Sequence, residues 1–194
     1  VHLFTQSGGK LKFRDEDQVF IPNKYPSDQI SIGSCNGDFV LDDIIKNSLK
    51  TLKEFLNIKE TDYDDLKVKC PKDKKIRNIW LLPSDKILGK TKSFVDYQND
   101  ATAKDIKLAL REGFRSIEHV KRYTTTGMGT DQGKLGNMHA LGIIADTVGV
   151  KMGELGTTTF RPPYTPLTFG TIVGRNVGEY FDTFRRTPMN DWHI

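Results

Sequence analysis

The segment that most constrains the fold lies between two predicted helices, at residues 121–134, and reads KRYTTTGMGTDQGK. Only Tyr123 and Met128 within it are large and apolar, so the segment cannot build a core of its own. Its glycines allow turns and close backbone approaches that other residues resist. We therefore expect a glycine-rich connection held between elements that do pack.

Three short helices are predicted around this connection. Thr102 and Asp105 have the spacing of a capping box, Ser116 can cap the second helix, and Gly113 and Gly149 follow the first and third helices. The apolar residues expected to face inward are Ile106, Ala109 and Leu110, then Ile117 and Val120, then Met138, Leu141, Ile144, Ala145 and Val148.

The first third of the chain predicts short strands followed by one helix. The runs VHLF, KLKF, QVFIP and QISIGS are of β type and are separated by turn residues. Apolar residues then recur at helical spacing from Leu41 to Leu56. The small-residue turn at Gly33–Gly37 between strand and helix either points backbone amides at a phosphate or is an ordinary tight turn.

The remaining segments predict connections. Residues 57–78 are dominated by charge, and the runs IWLLP and SFVDYQ read as short strands, with Trp80 as a core or interdomain anchor. The prolines of TTTFRPPYTPLTFGTIVGR exclude a regular helix and predict an extended arm.

Composition bounds the class of protein without selecting a function. The 194 residues are 37% apolar, enough for at least one core, and 29 basic against 25 acidic residues give a net charge of +4, which allows an anionic ligand without requiring one. Two cysteines, Cys35 and Cys70, form no zinc or disulfide pattern, and reduced thiols in a cytoplasmic protein are expected. We expect no membrane span and no nucleic-acid partner. The chain starts at Val1 and ends at NDWHI, which predicts a piece of a longer polypeptide.

The 121–134 segment favours a phosphate site. Lys121, Arg122 and Lys134 supply charge, Thr124, Thr125, Thr126 and Gln132 supply donors, and the third helix can direct its first amides to the same place. The lysine is not followed by Ser or Thr, so this is not a Walker loop. The alternative is a glycine-rich turn whose polar groups hydrogen-bond within the turn itself.

Three other chemistries fit the same residues less well. A DNA-reading helix would carry arginine, but the third helix begins Met138-His139-Ala140-Leu141. A hydrolase needs a nucleophile beside a base, whereas the four histidines are scattered. A two-iron two-sulfur domain would also be a small helical unit with a GMG turn, and needs its cysteines.

A family resemblance appears over residues 93–193 and, more weakly, over 1–50. The motifs VHLFTQSGGKL, GSCNG, VDYQNDAT, KLALREGFRSIEHVKRYTTTGMGTDQGKLGN and GTTTFRPPYTP resemble the alpha subunit of heterotetrameric sarcosine oxidase. The resemblance implies an α+β chain with four parts. Residues 1–58 would be the C-terminal remnant of an NAD/FAD-type dinucleotide-binding α/β domain, and residues 59–92 a charged connector with a short strand. Residues 93–150 would be a small three-helix domain contributing to an FMN site. Residues 151–194 would be an extended linker toward an aminomethyltransferase-like folate-binding domain.

The middle part also resembles the two-iron two-sulfur (BFD-like) domains of amine and amino-acid dehydrogenases. At the four cysteine positions of those domains this chain carries Asp96, Gln98, Asp131 and Gly136. The resemblance therefore implies a scaffold without an iron–sulfur cluster, and no metal ligand is predicted.

The resemblance further implies how the chain acts. The family oxidises sarcosine with oxygen and tetrahydrofolate to glycine, hydrogen peroxide and methylenetetrahydrofolate, with FAD in the beta subunit, FMN shared between alpha and beta, NAD in alpha, and smaller gamma and delta subunits. Lys121, Arg122, Gln132 and Asn137 match groups that meet the FMN phosphate, with Thr125, Thr126 and Lys134 in support. Ser34, Phe39 and Leu41 fall on NAD contacts, although Phe39 and Leu41 are expected in the core in any case.

No catalytic residue is predicted, and the chain alone is expected to be inactive. The alternative function is a non-catalytic docking domain derived from an iron–sulfur domain of an amine or amino-acid dehydrogenase.

Overall fold

The computed structural model describes residues 1–26, 28–58, 68–70, 78–87, 90–159, 164–180 and 184–194. Most of the charged connector predicted at 59–92 and residues 160–163 of the arm lie outside this part of the chain. The chain forms two compact units, Val1–Tyr164 and Thr165–Ile194. Mixed helices and two small antiparallel sheets confirm the α+β class at that coarse level.

A small helical core lies at the centre of the first unit. Strand β3 (Phe94–Asp96) pairs antiparallel with β4 (Ala101–Thr102), which leads directly into helix α3 (Ala103–Arg111). The predicted capping box is confirmed: the Thr102 hydroxyl accepts from the Asp105 N–H, and the Asp105 carboxylate accepts from the Thr102 N–H at 2.8 Å. Gly113 follows α3 in the left-handed region, as its position predicts.

Helices α4 (Ile117–Thr124) and α5 (Asn137–Val148) complete this core. Ser116 occupies the N-cap of α4, as predicted, but its side chain makes no capping hydrogen bond. Gly149 ends α5 in the left-handed conformation. Fully or nearly fully buried side chains from the helices and β3 are Val95, Ala103, Ile106, Ala109, Leu110, Ile117, Val120, Ala140, Leu141, Ile143, Ile144 and Ala145.

Trp80 anchors a segment outside the helices onto this core. It packs, half-buried, on α5, where a Cβ at Gly142 would collide with the indole ring. The prediction of a strand at IWLLP is wrong, because residues 79–83 pair with no strand among the described residues.

A hairpin and a short helix precede the helical core. Strands β1 (Lys10–Arg14) and β2 (Val19–Lys24) pair antiparallel, as predicted. The prediction of a strand at VHLF is wrong, since residues His2–Gln6 form helix α1. One helical turn is enough to bury Phe4, the only buried side chain of α1, against the backbone at Gly9.

The next region departs further from the strand prediction. Residues 29–32 of the QISIGS run do not form a strand, and Gly33–Asn36 form a 3-10 turn. Helix α2 (Leu41–Leu56) follows as predicted, yet it has no buried residue. Phe55 and Leu56 are 63% and 56% exposed, so the apolar face of α2 is largely uncovered.

The predicted extended arm contains helical turns. Helix α6 (Met152–Leu155) still belongs to the first unit and buries Met152 against the core. The second unit holds α7 (Phe169–Val173), 3-10 turns at Arg175–Tyr180, and α8 (Asn190–His193). Pro162, Pro163 and Pro166 precede α7, and the Thr168 side chain accepts from the Thr171 N–H to cap it, so the expectation of an extended arm without a regular helix is wrong.

Two smaller points complete the description. Cys35 and Cys70 are free thiols of intermediate exposure. Among the described residues, no helix combines the length and the apolar character needed to cross a bilayer.

Candidate functional site

A pocket of about 230 Å³ lies between helix α4 and the glycine-rich turn that follows it. Its lining residues are Glu118, Lys121 and Arg122 from α4, and Gly127, Met128 and Gln132 from the turn. Three of the seven residues predicted to meet a phosphate, Lys121, Arg122 and Gln132, are therefore brought together in one place.

Positive charge dominates the α4 wall of the pocket, with one carboxylate beside it. The Arg122 guanidinium lies 3.6 Å from the Glu118 carboxylate, and Lys121 makes no ion pair with any residue in the described ranges. Glu118 also accepts a hydrogen bond from the Thr159 N–H at 2.9 Å, which fixes its position. The three side chains together carry one net positive charge.

The three threonines of the turn are engaged with the chain itself. The Thr124 hydroxyl donates to the Val120 carbonyl and lies 2.7 Å from the buried Thr126 hydroxyl. The Thr125 hydroxyl donates to the Thr124 carbonyl at 2.6 Å, and Thr125 ends α4 in the left-handed region, where a β-branched residue is unusual. Thr125 and Thr126 thus shape the turn, and their role toward a phosphate stays a prediction.

Backbone amides of the turn are also largely used within the protein. Met128, Gln132 and Lys134 donate to turn carbonyls, and the Gly133 N–H donates to the Asp131 carboxylate. The Gly127 N–H donates to Asp96 Oδ2 at 2.6 Å. The pocket therefore does not offer a cradle of free amides, and its positively charged groups are the Lys121 and Arg122 side chains of α4.

Asp96 in β3 and Gln98 just after it, two of the four residues that the sequence resemblance places at cluster-ligand positions, connect this region to the turn. Asp96 is 5% exposed and accepts from the N–H groups of Gly127, Gln98 and Asn99. Burial acts to raise the pKa of Asp96, but these hydrogen bonds outweigh it and hold the pKa below its usual value.

Asp131 and Gly136, the other two of these four residues, make different contacts from those of Asp96 and Gln98. Asp131 accepts from Gly133 within the turn, and Gly136 lies against the Val95 carbonyl, where a Cβ would collide. No group of three or more His, Cys, Asp or Glu side chains in the described part of the chain is arranged to hold a metal ion.

Lys134 and Asn137 line a different cavity from the pocket at α4. It is a mostly apolar cleft of about 420 Å³ that also includes Trp80, Leu141 and Tyr164. The Lys134 ammonium lies 4.2 Å from the centre of the Tyr164 ring. Asn137 donates from its side chain to the Gln132 carbonyl and to the Thr158 hydroxyl. Asn137, the first residue of α5, therefore lines this cleft. The sequence predicts instead that the start of α5 converges with Lys121 and Arg122.

The residues predicted to contact NAD lie at the turn before α2. Ser34 is exposed in the 3-10 turn, and Phe39 and Leu41 are 49% and 51% exposed, so the expectation that both are core residues is wrong. The turn closes on itself through the Gly37 and Asp38 N–H groups, while Arg14 donates to the Gly37 carbonyl at 2.6 Å. These contacts favour the ordinary-turn alternative, and the NAD assignment stays a prediction.

Sequence reasoning did not assign a role to Glu118 in the pocket or to Asp96 beneath the turn. Glu118 stands four residues before Arg122, a spacing that predicts a helical ion pair. Asp96 is 31 residues from Gly127 in the sequence, and no local sequence pattern predicts a contact over that distance.

Comparison with known proteins gives a match over the helical core and the pocket at α4. A family model described as the sarcosine oxidase A3 domain matches residues 90–175. The sarcosine oxidase subunit alpha of Rhizobium meliloti (strain 1021) is 49% identical over 128 residues, which are 64% of this chain and 13% of that protein. The sarcosine oxidase subunit alpha of Corynebacterium sp. (strain P-1) is 36% identical over 204 aligned positions, which cover 100% of this chain and 21% of that protein.

A solved structure shares the fold. The crystal structure of L-proline dehydrogenase from P. horikoshii aligns with 89% of this chain and 36% of its own chain, with a TM-score of 0.53 and 22% identity. The chain spans about a fifth or less of the length of the curated relatives described above.

Proposed function

The chain belongs to the family of sarcosine oxidase alpha subunits, and we propose that its pocket at α4 binds the phosphate of FMN within such an enzyme. The proposal rests on one observation: Lys121, Arg122 and Gln132 line a single pocket beside Gly127. Two cations and an amide donor are groups that bind a phosphate monoester through charge-assisted hydrogen bonds.

The size of the pocket fits the end of a ligand better than a whole cofactor. Its 230 Å³ is below the roughly 300–1,000 Å³ typical of sites that enclose a small molecule. The phosphate would be held here, and the remainder of FMN would extend beyond this chain toward a second subunit. When bound, FMN supplies electron transfer, whereas Lys121 and Arg122 neutralise its phosphate and fix its position.

The names of the curated relatives support an oxidoreductase as the class of enzyme. Within that class we propose the oxidation of sarcosine by oxygen in the presence of tetrahydrofolate, giving glycine, hydrogen peroxide and methylenetetrahydrofolate. FAD and the substrate would be bound by a beta subunit, smaller gamma and delta subunits would complete the complex, and NAD and folate would be bound in alpha outside the pocket. Such an enzyme would operate in the cytoplasm.

The test is the flavin content of the complex reconstituted from the alpha chain and its beta partner. We expect Lys121→Ala/Arg122→Ala to lower FMN content, because two charges that face the phosphate are removed, and peroxide production to fall with it. The matched control is Lys107→Ala/Arg111→Ala, which removes the same charge from exposed positions on α3. Full FMN content in the pocket variant would refute the assignment.

Lys134→Ala forms a separate arm of the same experiment. Its ammonium faces Tyr164 in the neighbouring cleft, so a loss of FMN in this variant would extend the phosphate site to that cleft. Unchanged FMN content would restrict the site to the residues of the α4 pocket.

A second candidate function, docking of a partner without any flavin contact, is favoured by the uncovered apolar face of α2. Leu41, Phe55 and Leu56 on that helix are each more than half exposed. Under this alternative, Phe55→Asp would impair assembly of the complex, while Lys121→Ala/Arg122→Ala would leave its flavin content unchanged.

A further inference from the structure

We propose that Asp96 is a positioning residue for the pocket at α4, with Gln98 as a second anchor. The buried Asp96 carboxylate would fix the turn that carries Gly127 and Gln132, and so set the distance between the two walls of the pocket. The inference rests on the proposed function for its effect on ligand binding, and on the geometry of the turn alone for its effect on structure.

The carboxylate of Asp96 is saturated with backbone donors. Oδ2 accepts from the Gly127 N–H at 2.6 Å, and Oδ1 accepts from the Gln98 and Asn99 N–H groups at 2.9 Å each. A buried carboxylate is costly unless such donors surround it. Because both oxygens accept from N–H groups, a neutral amide in the same place would turn an N–H toward a donor.

Gln98, two residues after the end of β3, provides a second connection to the turn. Its side-chain Nε2 donates to the Thr130 hydroxyl at 2.9 Å, and its side-chain Oε1 accepts from the Asp131 N–H at 3.1 Å. Gly129 is required beside it, because a Cβ at that position would collide with the Gln98 side chain. Asp96 and Gln98 together therefore hold residues 127–131 from one side.

Apolar packing does little to hold the turn. Met128 is 52% exposed, and Gly127, Gly129 and Gly133 bring no side chain. Helix α4, by contrast, is anchored by the buried side chains of Ile117 and Val120. One wall of the pocket is thus fixed by the core, and the other depends on polar contacts.

The connection to the pocket is direct. Gly127, whose N–H donates to Asp96, lines the pocket, and Gln132 lies five residues further along the same turn. Gln132 adopts a left-handed backbone conformation with φ of 52°, and its amide donates to the Gly129 carbonyl. If the turn moves, Gln132 moves relative to Lys121 and Arg122, and the three groups no longer converge on one phosphate.

The experiment compares Asp96→Asn with Asp100→Asn, which makes the same chemical change at an exposed position. Hydrogen–deuterium exchange of residues 127–132 is measured on the chain. FMN uptake relative to riboflavin, which lacks the phosphate, is measured on the flavin-free complex with the beta partner. We expect Asp96→Asn to accelerate exchange in the turn and to lower the FMN preference about tenfold, as loss of a hydrogen bond to a charged group predicts. Asp100→Asn should behave as wild type.

The other outcomes also decide for or against the inference. Wild-type exchange in the turn of Asp96→Asn would overturn the inference, as would accelerated exchange with an unchanged FMN preference. If Asp96→Asn also loses protection in α3 and α5, Gln98→Ala decides: faster exchange confined to the turn supports the inference, and unchanged exchange overturns it. If the wild-type complex shows no FMN preference, the proposed function fails, and the exchange data alone decide whether Asp96 positions the turn.

Discussion

Glu118 places a carboxylate among the groups of the pocket that are proposed to bind an anion. It lies 3.6 Å from Arg122 and is held there by the Thr159 N–H. In the absence of a ligand it therefore acts as a partial counter-ion for the cations of α4. A phosphate dianion that enters must compete with Glu118 for Arg122.

Substituting this carboxylate gives a prediction with a definite sign. Glu118→Gln should raise the preference of the complex for FMN over riboflavin by up to about fivefold, since partly exposed ion pairs are worth at most about 1 kcal/mol. The amide oxygen can still accept from Thr159, so the fold should be unaffected. Glu112→Gln, a nearby glutamate outside the pocket, is the control. A lower FMN preference in Glu118→Gln would show that Glu118 does not compete with the ligand.

Asp96 gives a prediction for the pH dependence of stability. Its pKa is lowered in the folded protein, so its contribution is fully present above the unfolded value of about 3.9 and is lost as pH falls through the lower folded value. The difference in free energy of unfolding between wild type and Asp96→Asn should therefore be large at pH 7 and shrink below about pH 4. Urea unfolding over this range measures it, and a difference that grows on acidification would contradict the account.

At the scale of elements, local signals predicted the helices of the core and the β1–β2 hairpin, but failed for the strands expected at VHLF and QISIGS. Thr102 with Asp105 and the left-handed Gly149 are encoded within a few residues, and both are found as predicted. VHLF has the composition of a strand, but strand formation also needs a partner, and α1 has none. The pocket was predictable in part, because Lys121 and Arg122 are adjacent, whereas the bond from Gly127 to Asp96 depends on tertiary structure.

Helices α3 and α4 allow a comparison within one core, because only α3 of the two has a side-chain cap. Thr102→Ala removes the capping box of α3 and should lower the free energy of unfolding by about 1 kcal/mol. Ser116→Ala changes a cap residue of α4 that makes no side-chain capping bond, and should cost less. Thermal or urea unfolding of both variants measures the difference. Equal losses would contradict the capping geometry described for Thr102.

At the scale of the whole molecule, stability is concentrated in the helical core. Leu141 of α5 is 2% exposed, whereas Phe55 of α2 is 63% exposed. Helix α2 carries an apolar face, yet none of its residues is buried in the described part of the chain. The core near the pocket, and not the α2 region, should set the global stability.

This distribution predicts unequal costs for two truncations of large apolar side chains. Leu141→Ala should lower the free energy of unfolding by about 2–5 kcal/mol, because it opens a cavity in the core. Phe55→Ala should change it by no more than about 0.5 kcal/mol. Urea unfolding followed by circular dichroism compares the two. A cost for Phe55→Ala that approaches that of Leu141→Ala would show that α2 is covered in solution.

The measurement that tests the central claim most directly compares FMN with riboflavin in the flavin-free complex, using wild-type and Lys121→Ala/Arg122→Ala alpha chains. The two flavins differ only in the phosphate that the pocket is proposed to bind. We predict that wild type prefers FMN by about tenfold or more, as charge-assisted hydrogen bonds require, and that the double variant loses most of this preference. An equal preference for FMN in both complexes would contradict the assignment of the phosphate to this pocket.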